Sequence, residues 1–385
     1  MNRALEGLKV LDLSMHLPGP YLTWLMAGLG AQVVKLENPR GGDYARTIGG
    51  EGGAGPGFFA SVNTGKKSLA LDLKHPAGRE LCLGLLETHD VLVEGFRPGV
   101  MERLGLDYAT TSAILPRLIH VSITGYGQEG GHRLRAGHDV NYLALAGVLG
   151  ITGGRGGELA VPGVQIADLA GGSWPALAGL LAAVIQRERT GRGQFVDVAM
   201  FDGTLSLAAW VHGALSAGLE GEGPANMTLN GRYPCYGVYA ARDGGHMSLG
   251  ALEPKFWLNF CRAVGRPDLE PQQFGGREAV AEVAAIFAGR DRDEWSRSLE
   301  GADCCCEPVL GLMEAVASPL ARERGLVRRD AQGRTAILPP WKLSDSPPAP
   351  LGPPPGLGQH TAEVLAGLGL DGTELDRLRG LGVIA

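Results

Sequence analysis

The stretch LKVLDLSMHLPGPYLTWLMAGLGAQVVKLEN, residues 8–38, decides the fold class. Two short apolar runs, 8–14 and 31–38, are typical of buried strands, and residues 19–30 between them have the length and composition of a helix. A strand, a helix and a strand in this order predict a βαβ unit, in which the two strands lie parallel in one sheet.

The same pattern recurs along the following hundred residues. It predicts a strand at Ser68–Leu73, a helix at Pro76–Glu87, a strand at Val91–Glu94 and a further strand at 117–127. Strands that alternate with helices indicate an α/β fold with a Rossmann-like parallel sheet. The turn after the first strand, DLSMHLPGP, lacks G-x-G-x-x-G, so we do not expect a dinucleotide-binding domain.

The rest of the chain predicts a second domain. A long helix rich in small residues at 171–193, a strand at 194–203 and a helix after it extend the first domain, and a period-two pattern around the turn RDGG predicts a β-hairpin. We therefore expect a large domain at 1–217, a linker at 218–232, a smaller α+β domain at 233–330, a proline-rich connector at 331–360 and a C-terminal helix at 361–385 that returns to the large domain.

Composition limits the classes of function. The 385 residues are 44% hydrophobic and carry a net charge of −6, which argues against nucleic acid as the main partner. We find no apolar run of the roughly 18 residues that a membrane span requires, and no signal peptide. The cysteines, with Cys304–Cys306 consecutive, match neither a disulfide framework nor a metal site. We therefore expect a cytoplasmic protein without a metal and without a membrane partner.

The stretch RAGHDVNYLALAGVLG, residues 135–150, places a titratable pair at the start of an apolar helix. A helix N-terminus stabilises a developing anion, Gly137 lets a ligand approach the backbone, and His138 supplies an imidazole, a side chain that commonly acts as a proton acceptor. These features suit removal of a proton next to a carbonyl group. In the alternative interpretation, Asp139 caps the helix and His138 is an exposed turn residue.

A second stretch, GVQIADLAGGSW, places Asp168 after a short apolar run and before Gly171 and Gly172. A carboxylate in this position is either a helix cap or a reactive group, and the residues around it do not decide between the two.

These two stretches belong to a larger set of motifs that includes LPGP, GLGAQVVKLE, VLVEGFRPGVMERLGLDY, GYGQEG and GRGQFVDVAMFDG. The set resembles the family III CoA-transferase superfamily over nearly the whole chain. In its transferases one aspartate, matched by Asp168, is a nucleophile. The α-methylacyl-CoA racemase branch adds a histidine in a GHD motif and a GAxEPxF motif, which are similar to Gly137–Asp139 and to residues 250–254 here.

The resemblance implies racemisation of 2-methylacyl-CoA thioesters by 1,1-proton transfer, without a cofactor, in an interlocked homodimer. Removing the α-proton from one face and returning a proton to the other requires a group on each face, and His138 and Asp168 are the natural pair. The Asp139 amide is positioned to donate to the enolate oxygen. By resemblance, Glu253 bonds His138 and holds its tautomer; alternatively, it is a surface carboxylate.

The CoA part of the substrate requires cations near its phosphates. By resemblance the CoA-binding residues are Lys66, Lys67, Arg97, Gly137, Tyr142 and Asn38. Asn38 departs from the family, in which arginine often precedes the proline of IERP, so Lys35 or the pair at 66–67 are the expected substitutes. His16, next to LPGP, is a candidate for the wall of the acyl pocket.

Two other functions remain open from the sequence. One is a family III CoA-transferase that uses Asp168 as its nucleophile, and the other is an acyl-CoA-binding protein without catalysis. Substitution of His138 separates the two enzymes, because a racemase depends on the imidazole far more than a transferase does.

Overall fold

The computed structural model describes residues 3–48, 57–329 and 335–385. Its strands are β1 Lys9–Asp12, β2 Gln32–Glu37, β3 Lys67–Ala70, β4 Val91–Glu94, β5 Ile119–Thr124, β6 Phe195–Ala199, β7 Tyr236–Ala240, β8 His246–Gly250, β9 Cys306–Pro308, β10 Val327–Arg329 and β11 Thr335–Ile337. Its helices are α1 Pro18–Gly28, α2 Gly57–Ser61, α3 Pro76–Leu86, α4 Val100–Leu104, α5 Tyr108–Ile114, α6 Asp139–Leu145, α7 Ile166–Asp168, α8 Trp174–Thr190, α9 Met200–Leu207, α10 Ala209–Ser216, α11 Pro254–Ala263, α12 Arg277–Phe287, α13 Arg292–Leu299, α14 Leu312–Ala317, α15 Pro319–Glu323, α16 Thr361–Ala366 and α17 Gly372–Gly380.

The first six strands form one sheet in the order β3-β2-β1-β4-β5-β6, and every neighbouring pair is parallel. This confirms the α/β fold class with a Rossmann-like sheet. The strand order reverses between β1 and β4, so the loops that follow these two strands diverge and leave a crevice at the carboxyl edge of the sheet. Ligands of doubly wound folds bind at such a point, and His16 and Arg97 lie on these two loops.

The chain divides into two compact units. The first consists of residues 1–146, 165–207 and 324–385, and the second of residues 147–164 and 208–323. The expected large domain therefore lacks residues 147–164 and 208–217. The second range belongs to the other unit because the predicted helix after β6 is interrupted at Ala208, and its two parts, α9 and α10, lie in different units. The second unit ends at residue 323 rather than 330.

Helix α8 is part of a longer apolar helical segment than the sequence predicts. With the turns before it, it forms a continuous helical segment, Ile166–Thr190, which is long and apolar enough by these two criteria to cross a membrane. The prediction that the chain has no apolar run long enough for a membrane span is therefore wrong. A single such helix is weak support for a membrane span, since helices in the core of a globular domain meet the same criteria, and α8 packs against β5, β6 and α1.

The second unit is built on the antiparallel sheet β7-β8-β9, which confirms the predicted hairpin. The turn at residues 241–245 closes with a bond from the Ala241 amide to the Gly245 carbonyl. Aromatic side chains of α11, α12 and α13 pack on this sheet and form a core of their own. Cys304 and Cys306 are buried there as expected, whereas Cys305 is exposed.

The C-terminal segment contains two helices, α16 and α17, where the sequence predicts one. Both pack on the core of the first unit through Leu365, Leu375 and Leu378. The chain then passes beside β3, where Ile384 pairs with Leu71. The proline-rich connector before α16 is described from residue 335 onward, and its residues 331–334 lie outside the described part of the chain.

Candidate active site

The Asp139 side chain joins the two motifs that the sequence singled out. Its carboxylate is buried at the start of α6, and Oδ1 accepts hydrogen bonds from the Ala167 amide at 2.7 Å and the Asp168 amide at 3.0 Å. The residue that follows His138 is therefore bonded to the backbone of Asp168. The structure thus places the backbone segments that carry His138 and Asp168 next to each other.

Close contacts between glycines fix the turn that carries Asp168. Residues Leu169–Ser173 form a π-helical turn between α7 and α8, and such turns are frequent at functional sites. A Cβ at Gly203 in α9 would lie 1.9 Å from the Gly171 carbonyl oxygen, so α9 can approach this turn only because both positions lack a side chain. The Ser173 hydroxyl lies 2.7 Å from the Pro18 carbonyl and 3.1 Å from the Asp168 carbonyl.

Asp168 titrates far from its ordinary range. Burial, and after it the negative charge of Asp139, together raise its pKa to about 7. A carboxyl group with this pKa exchanges a proton readily near neutral pH, which suits a general acid or base.

Tyr142 and Tyr126 form the wall beside Gly137. The Tyr142 hydroxyl donates to the Gly137 carbonyl at 2.6 Å, and the two tyrosine rings meet edge to face at 5.2 Å. A Cβ at Gly137 would lie 2.7 Å from the Tyr142 ring, so a side chain would not fit here. Burial, followed by the charge of Asp168, raises the pKa of Tyr142 to about 12, and the charge of Arg97 opposes this rise. Tyr142 is therefore a neutral hydrogen-bonding group near Asp168.

His138 is exposed at the N-cap of α6. Its backbone amide donates to the Asn141 side chain at 3.0 Å, which holds the first turn of the helix. Helix α6 has seven residues and ends well before the apolar run does, so its dipole is that of a short helix. The Asp139 amide as a donor to the enolate oxygen stays a prediction. The Asp139 carboxylate has a role that the sequence did not reveal.

Lys66 and Lys67 are not placed as the sequence predicted. Lys66 is fully buried, and Nζ bonds Asp12 at 3.2 Å, Thr23 at 2.7 Å and Asn63 at 2.8 Å. Burial lowers its pKa to about 7, and the charge of Asp12 opposes that decrease. Its ammonium group is occupied inside the protein, so the structure contradicts a direct contact with a phosphate.

Lys67 is exposed, pairs with Glu363 at 2.8 Å, and lines a cavity together with the first residues of β1 and β2. This cavity lies at the amino edge of the sheet, whereas the candidate site lies at the carboxyl edge. The position contradicts the predicted role of Lys67 in CoA binding at that site.

The loop after β2 offers a different cation. Asn38 is exposed, and its side chain accepts from the Arg40 amide at 2.8 Å. Arg40 is 81% exposed and contacts Asp72 at 3.3 Å. Lys35, a proposed substitute for the missing arginine, is buried against Asp43 at 2.9 Å and is unsuitable. The sequence signal for Arg40 was present in ENPR, two residues after the position that differs from the family.

His16 stands on a strained loop at the carboxyl end of β1. Its φ is +67°, which is rare for a residue with a side chain. The His16 amide donates to Asp43 at 3.1 Å, and the Lys35 ammonium donates to the Ser14 carbonyl at 2.6 Å. Buried charges therefore hold this loop in place, and the imidazole is exposed at the crevice. Its contact with an acyl chain stays a prediction.

Glu253 lies in the second unit. It is the exposed N-cap of α11, and Gln273 holds the loop before it by donating to the carbonyls of Ala251 and Leu252 at 3.1 and 2.7 Å. The hydrogen bond from Glu253 to His138 stays a prediction. Across residues 3–48, 57–329 and 335–385, no group of three or more His, Cys, Asp or Glu side chains is arranged to hold a metal ion.

Comparisons with known proteins cover nearly the whole chain. The sequence profile described as CoA-transferase family III matches residues 5–361. The chain is 34% identical to the human protein named alpha-methylacyl-CoA racemase, over 97% of this chain and 96% of that protein. It is 36% identical to succinyl-CoA:mesaconate CoA-transferase of Haloarcula marismortui, over 96% and 97% of the two chains.

Among solved structures, a CAIB/BAIF family protein from Brucella suis is 30% identical and has a TM-score of 0.82. The match covers 96% of this chain and all of that one. The identities to a racemase and to a transferase are comparable, so overall similarity does not choose between the two reactions.

Proposed function

The chain belongs to CoA-transferase family III, and from this premise we propose that it racemises 2-methylacyl-CoA thioesters. The single observation that supports this reaction most strongly is the hydrogen bond that the Asp168 amide donates to the Asp139 carboxylate. This bond supports the proposal because it links the turn that carries the imidazole of His138 to the turn that carries the carboxyl group of Asp168.

The proposed reaction moves one proton at a time. One group of the pair removes the α-proton as a base, and the electron pair of the broken C–H bond moves onto the thioester oxygen as an enolate. The other group, in its protonated form, then gives a proton to the opposite face of the α-carbon. A pKa of about 7 lets Asp168 take either part near neutral pH.

The two groups exchange roles in the reverse direction. Racemisation causes no net change of oxidation state and therefore needs no redox cofactor, and we propose that it also proceeds without a metal ion. Activity should survive exhaustive treatment with a chelator.

The first test follows the α-proton directly. One enantiomer of a 2-methylacyl-CoA is incubated with the protein in D2O, and proton NMR and chiral analysis follow the substrate. We expect loss of the α-proton signal and convergence on both epimers. His138→Gln and Asp168→Asn should each slow convergence on the two epimers by about 100-fold or more, which is the usual contribution of a positioned acid or base, while the remaining base still exchanges the α-proton on its own face. His246→Gln, an exposed histidine in β8, is the matched control and should exchange at the normal rate.

A CoA-transferase is the second candidate, and the similarity to the mesaconate enzyme supports it. In that reaction Asp168 is a nucleophile, and CoA passes to an added carboxylic acid without exchange at the α-carbon. Transfer that persists in the His138→Gln variant, without deuterium exchange in the unsubstituted protein, would reject the racemase. A raised pKa leaves Asp168 less ionised and therefore favours proton transfer over nucleophilic attack.

For the CoA phosphates we propose Arg97 and Arg40. Both are exposed cations on loops at the carboxyl edge, and Arg97 lies near enough to Tyr142 for its charge to act on that hydroxyl. Substitution of either by Gln should raise the KM for the thioester and change kcat little.

We also propose that the protein is a cytoplasmic homodimer that acts in the metabolism of branched fatty acyl groups. Six free thiols are typical of a reducing compartment. Large apolar side chains such as Leu312, Met313 and Leu320 are 68–74% exposed in the single chain, more than a soluble surface usually presents in one short segment. Light scattering coupled to gel filtration measures the mass, and a mass near 40 kDa would reject the dimer.

A further inference from the structure

A cavity of about 540 Å3 opens at the amino edge of the parallel sheet. Its wall includes Lys9, Gln32 and Lys67, which are the first residues of β1, β2 and β3. His138 and Asp168 lie in the segment between β5 and β6, at the opposite, carboxyl edge, where Ser173 contacts Pro18 at the start of α1. We call this space the amino-edge cavity. It is separate from the candidate active site and is formed entirely within the first unit.

The charged side chains that line the amino-edge cavity are mostly cationic. They are Arg3, Lys9 and Lys67, against one carboxylate, Glu363. Lys67 and Glu363 form an ion pair at 2.8 Å. The guanidinium of Arg3 and the ammonium of Lys9 have no hydrogen bond or ion pair with another side chain in the described parts of the chain. Two positive charges are therefore left without a partner beside an open cavity.

Contacts hold the backbone at the two positions that carry these cations. Gly30 has φ +104°, and a Cβ at this position would lie 2.5 Å from Cβ of Arg3, so the missing side chain makes room for Arg3. The Lys9 amide donates to Asp90 at 2.9 Å, and the other oxygen of Asp90 pairs with Arg187 at 2.9 Å. The Asp90 carboxylate beside Lys9 is thus already paired with a cation, and the Glu6 carboxylate accepts from the Arg3 amide at 2.9 Å.

A histidine on the same wall, His89, lies near enough to Lys9 for the ammonium charge to affect its pKa. His89 Nδ1 lies 2.6 Å from the Leu85 carbonyl, and burial lowers the pKa of the ring. The bond to Leu85 opposes this shift and the ammonium of Lys9 adds to it. An anion beside Lys9 would therefore raise the pKa of His89.

The other wall comes from the C-terminal part of the chain. The extended connector contributes residues 349–352, anchored by a bond from the Ala349 amide to the Gly28 carbonyl at 2.8 Å, and α16 contributes Glu363 and Val364. A ligand in the cavity would bridge β1, β3 and this segment.

We propose that the amino-edge cavity binds a small organic anion with at least two phosphate or carboxylate groups, at a site separate from the acyl-CoA site. Its volume is in the range of small-ligand pockets, and separated cations with free donors match an anion with separated charges. Binding to the folded state would stabilise the protein and fasten its C-terminal segment to the sheet.

The test measures binding of two probes, inorganic pyrophosphate and citrate, by isothermal titration calorimetry at constant ionic strength. We expect saturable binding of at least one probe, and the tighter of the two identifies phosphate or carboxylate as the preferred group. Arg3→Gln/Lys9→Gln should weaken binding by about 100-fold, since each charge-assisted bond contributes about tenfold or more. Arg377→Gln/Arg379→Gln, two exposed cations of α17, is the matched control and should bind normally.

An independent readout comes from NMR titration of His89, whose pKa should rise when the probe binds. The proposal is wrong if neither probe binds above the effect of salt. It is equally wrong if Arg97→Gln abolishes binding and Arg3→Gln/Lys9→Gln leaves it unchanged, because the anion then occupies the carboxyl edge. Neither result depends on whether the enzyme is a racemase or a transferase.

Discussion

Asp139 illustrates how one side chain joins two distant motifs. The sequence reveals an aspartate after His138 and another at position 168, but not that the first caps the turn that carries the second. Helix capping is a local property, whereas this cap acts across 28 residues, and no spacing rule anticipates it. The sequence predicts the proton-transfer pair, but it does not predict the bond that links their two turns.

The Asp139→Asn substitution separates charge from geometry. An asparagine Oδ1 still accepts from the Ala167 and Asp168 amides, but the like charge is gone, so the pKa of Asp168 should fall below its value of about 7. Asp168 acts as a base only when ionised, that is, above its pKa. The acidic limb of kcat/KM in the direction that uses this base should therefore move to lower pH, as deuterium exchange across pH 5–9 would reveal.

Asp139→Ala provides the comparison. It leaves two amides without their acceptor, which costs about 1–3 kcal/mol, and should reduce the rate at all pH values. An unchanged pH profile in Asp139→Asn would mean that the charge of Asp139 does not act on Asp168.

Lys66 is a residue whose role was predicted wrongly from the sequence. A lysine in NTGKKS has the expected appearance of a phosphate ligand, yet its ammonium is enclosed with Asp12, which lies 54 residues earlier. Burial of a charge depends on a partner that only the folded chain brings near. Single cations were therefore the least predictable members of the candidate site.

Helices and strands were easier to predict from the sequence than the breaks and irregular turns within them. The strands of the parallel sheet follow from apolar runs and punctuating turns, and hydrophobic periodicity carries that information locally. The break at Ala208 and the π-helical turn at Leu169–Ser173 were missed, because each depends on how α9 packs against the Asp168 turn. The glycines at that contact were visible in the sequence, but their partners were not.

Gly203 and Gly213 form a matched pair for testing this packing. Both are helical, but a Cβ at Gly203 would lie 1.9 Å from the Gly171 carbonyl oxygen, whereas nothing lies within 4 Å of one at Gly213. Gly203→Ala should cost about 1–3 kcal/mol of unfolding free energy through overpacking, and should reduce activity by displacing Asp168. Gly213→Ala should be neutral or add up to about 1 kcal/mol. Urea unfolding of both variants checks this, and equal stabilities would contradict the proposed contact.

At the scale of the molecule, the first unit is completed by the C-terminal segment. Leu378 of α17 is 1% exposed in the core that also contains Leu71, whereas Leu381, three residues later, is 52% exposed. The return of this segment to the large domain was inferred from its length, since a short amphipathic helix cannot be stable alone. The number of helices and the pairing beside β3 required the structure.

Leu378→Ala should therefore lower the unfolding free energy by about 2–5 kcal/mol, as expected for a large buried side chain. Leu381→Ala should change it by less than about 0.5 kcal/mol. Chemical denaturation of the two variants measures the difference. If both cost the same, α17 is not part of the core.

The division of the chain between the two units has a consequence for biosynthesis. The chain passes from one unit to the other four times, at residues 146/147, 164/165, 207/208 and 323/324. During translation the amino-terminal strands leave the ribosome first, yet their hydrophobic partners in α16 and α17 are made after everything else in the first unit. The second unit, whose longer segment is contiguous, has all its residues available earlier. The nascent first unit must therefore wait, with apolar surface uncovered, until synthesis is nearly finished, and during that interval it is a natural client for chaperones.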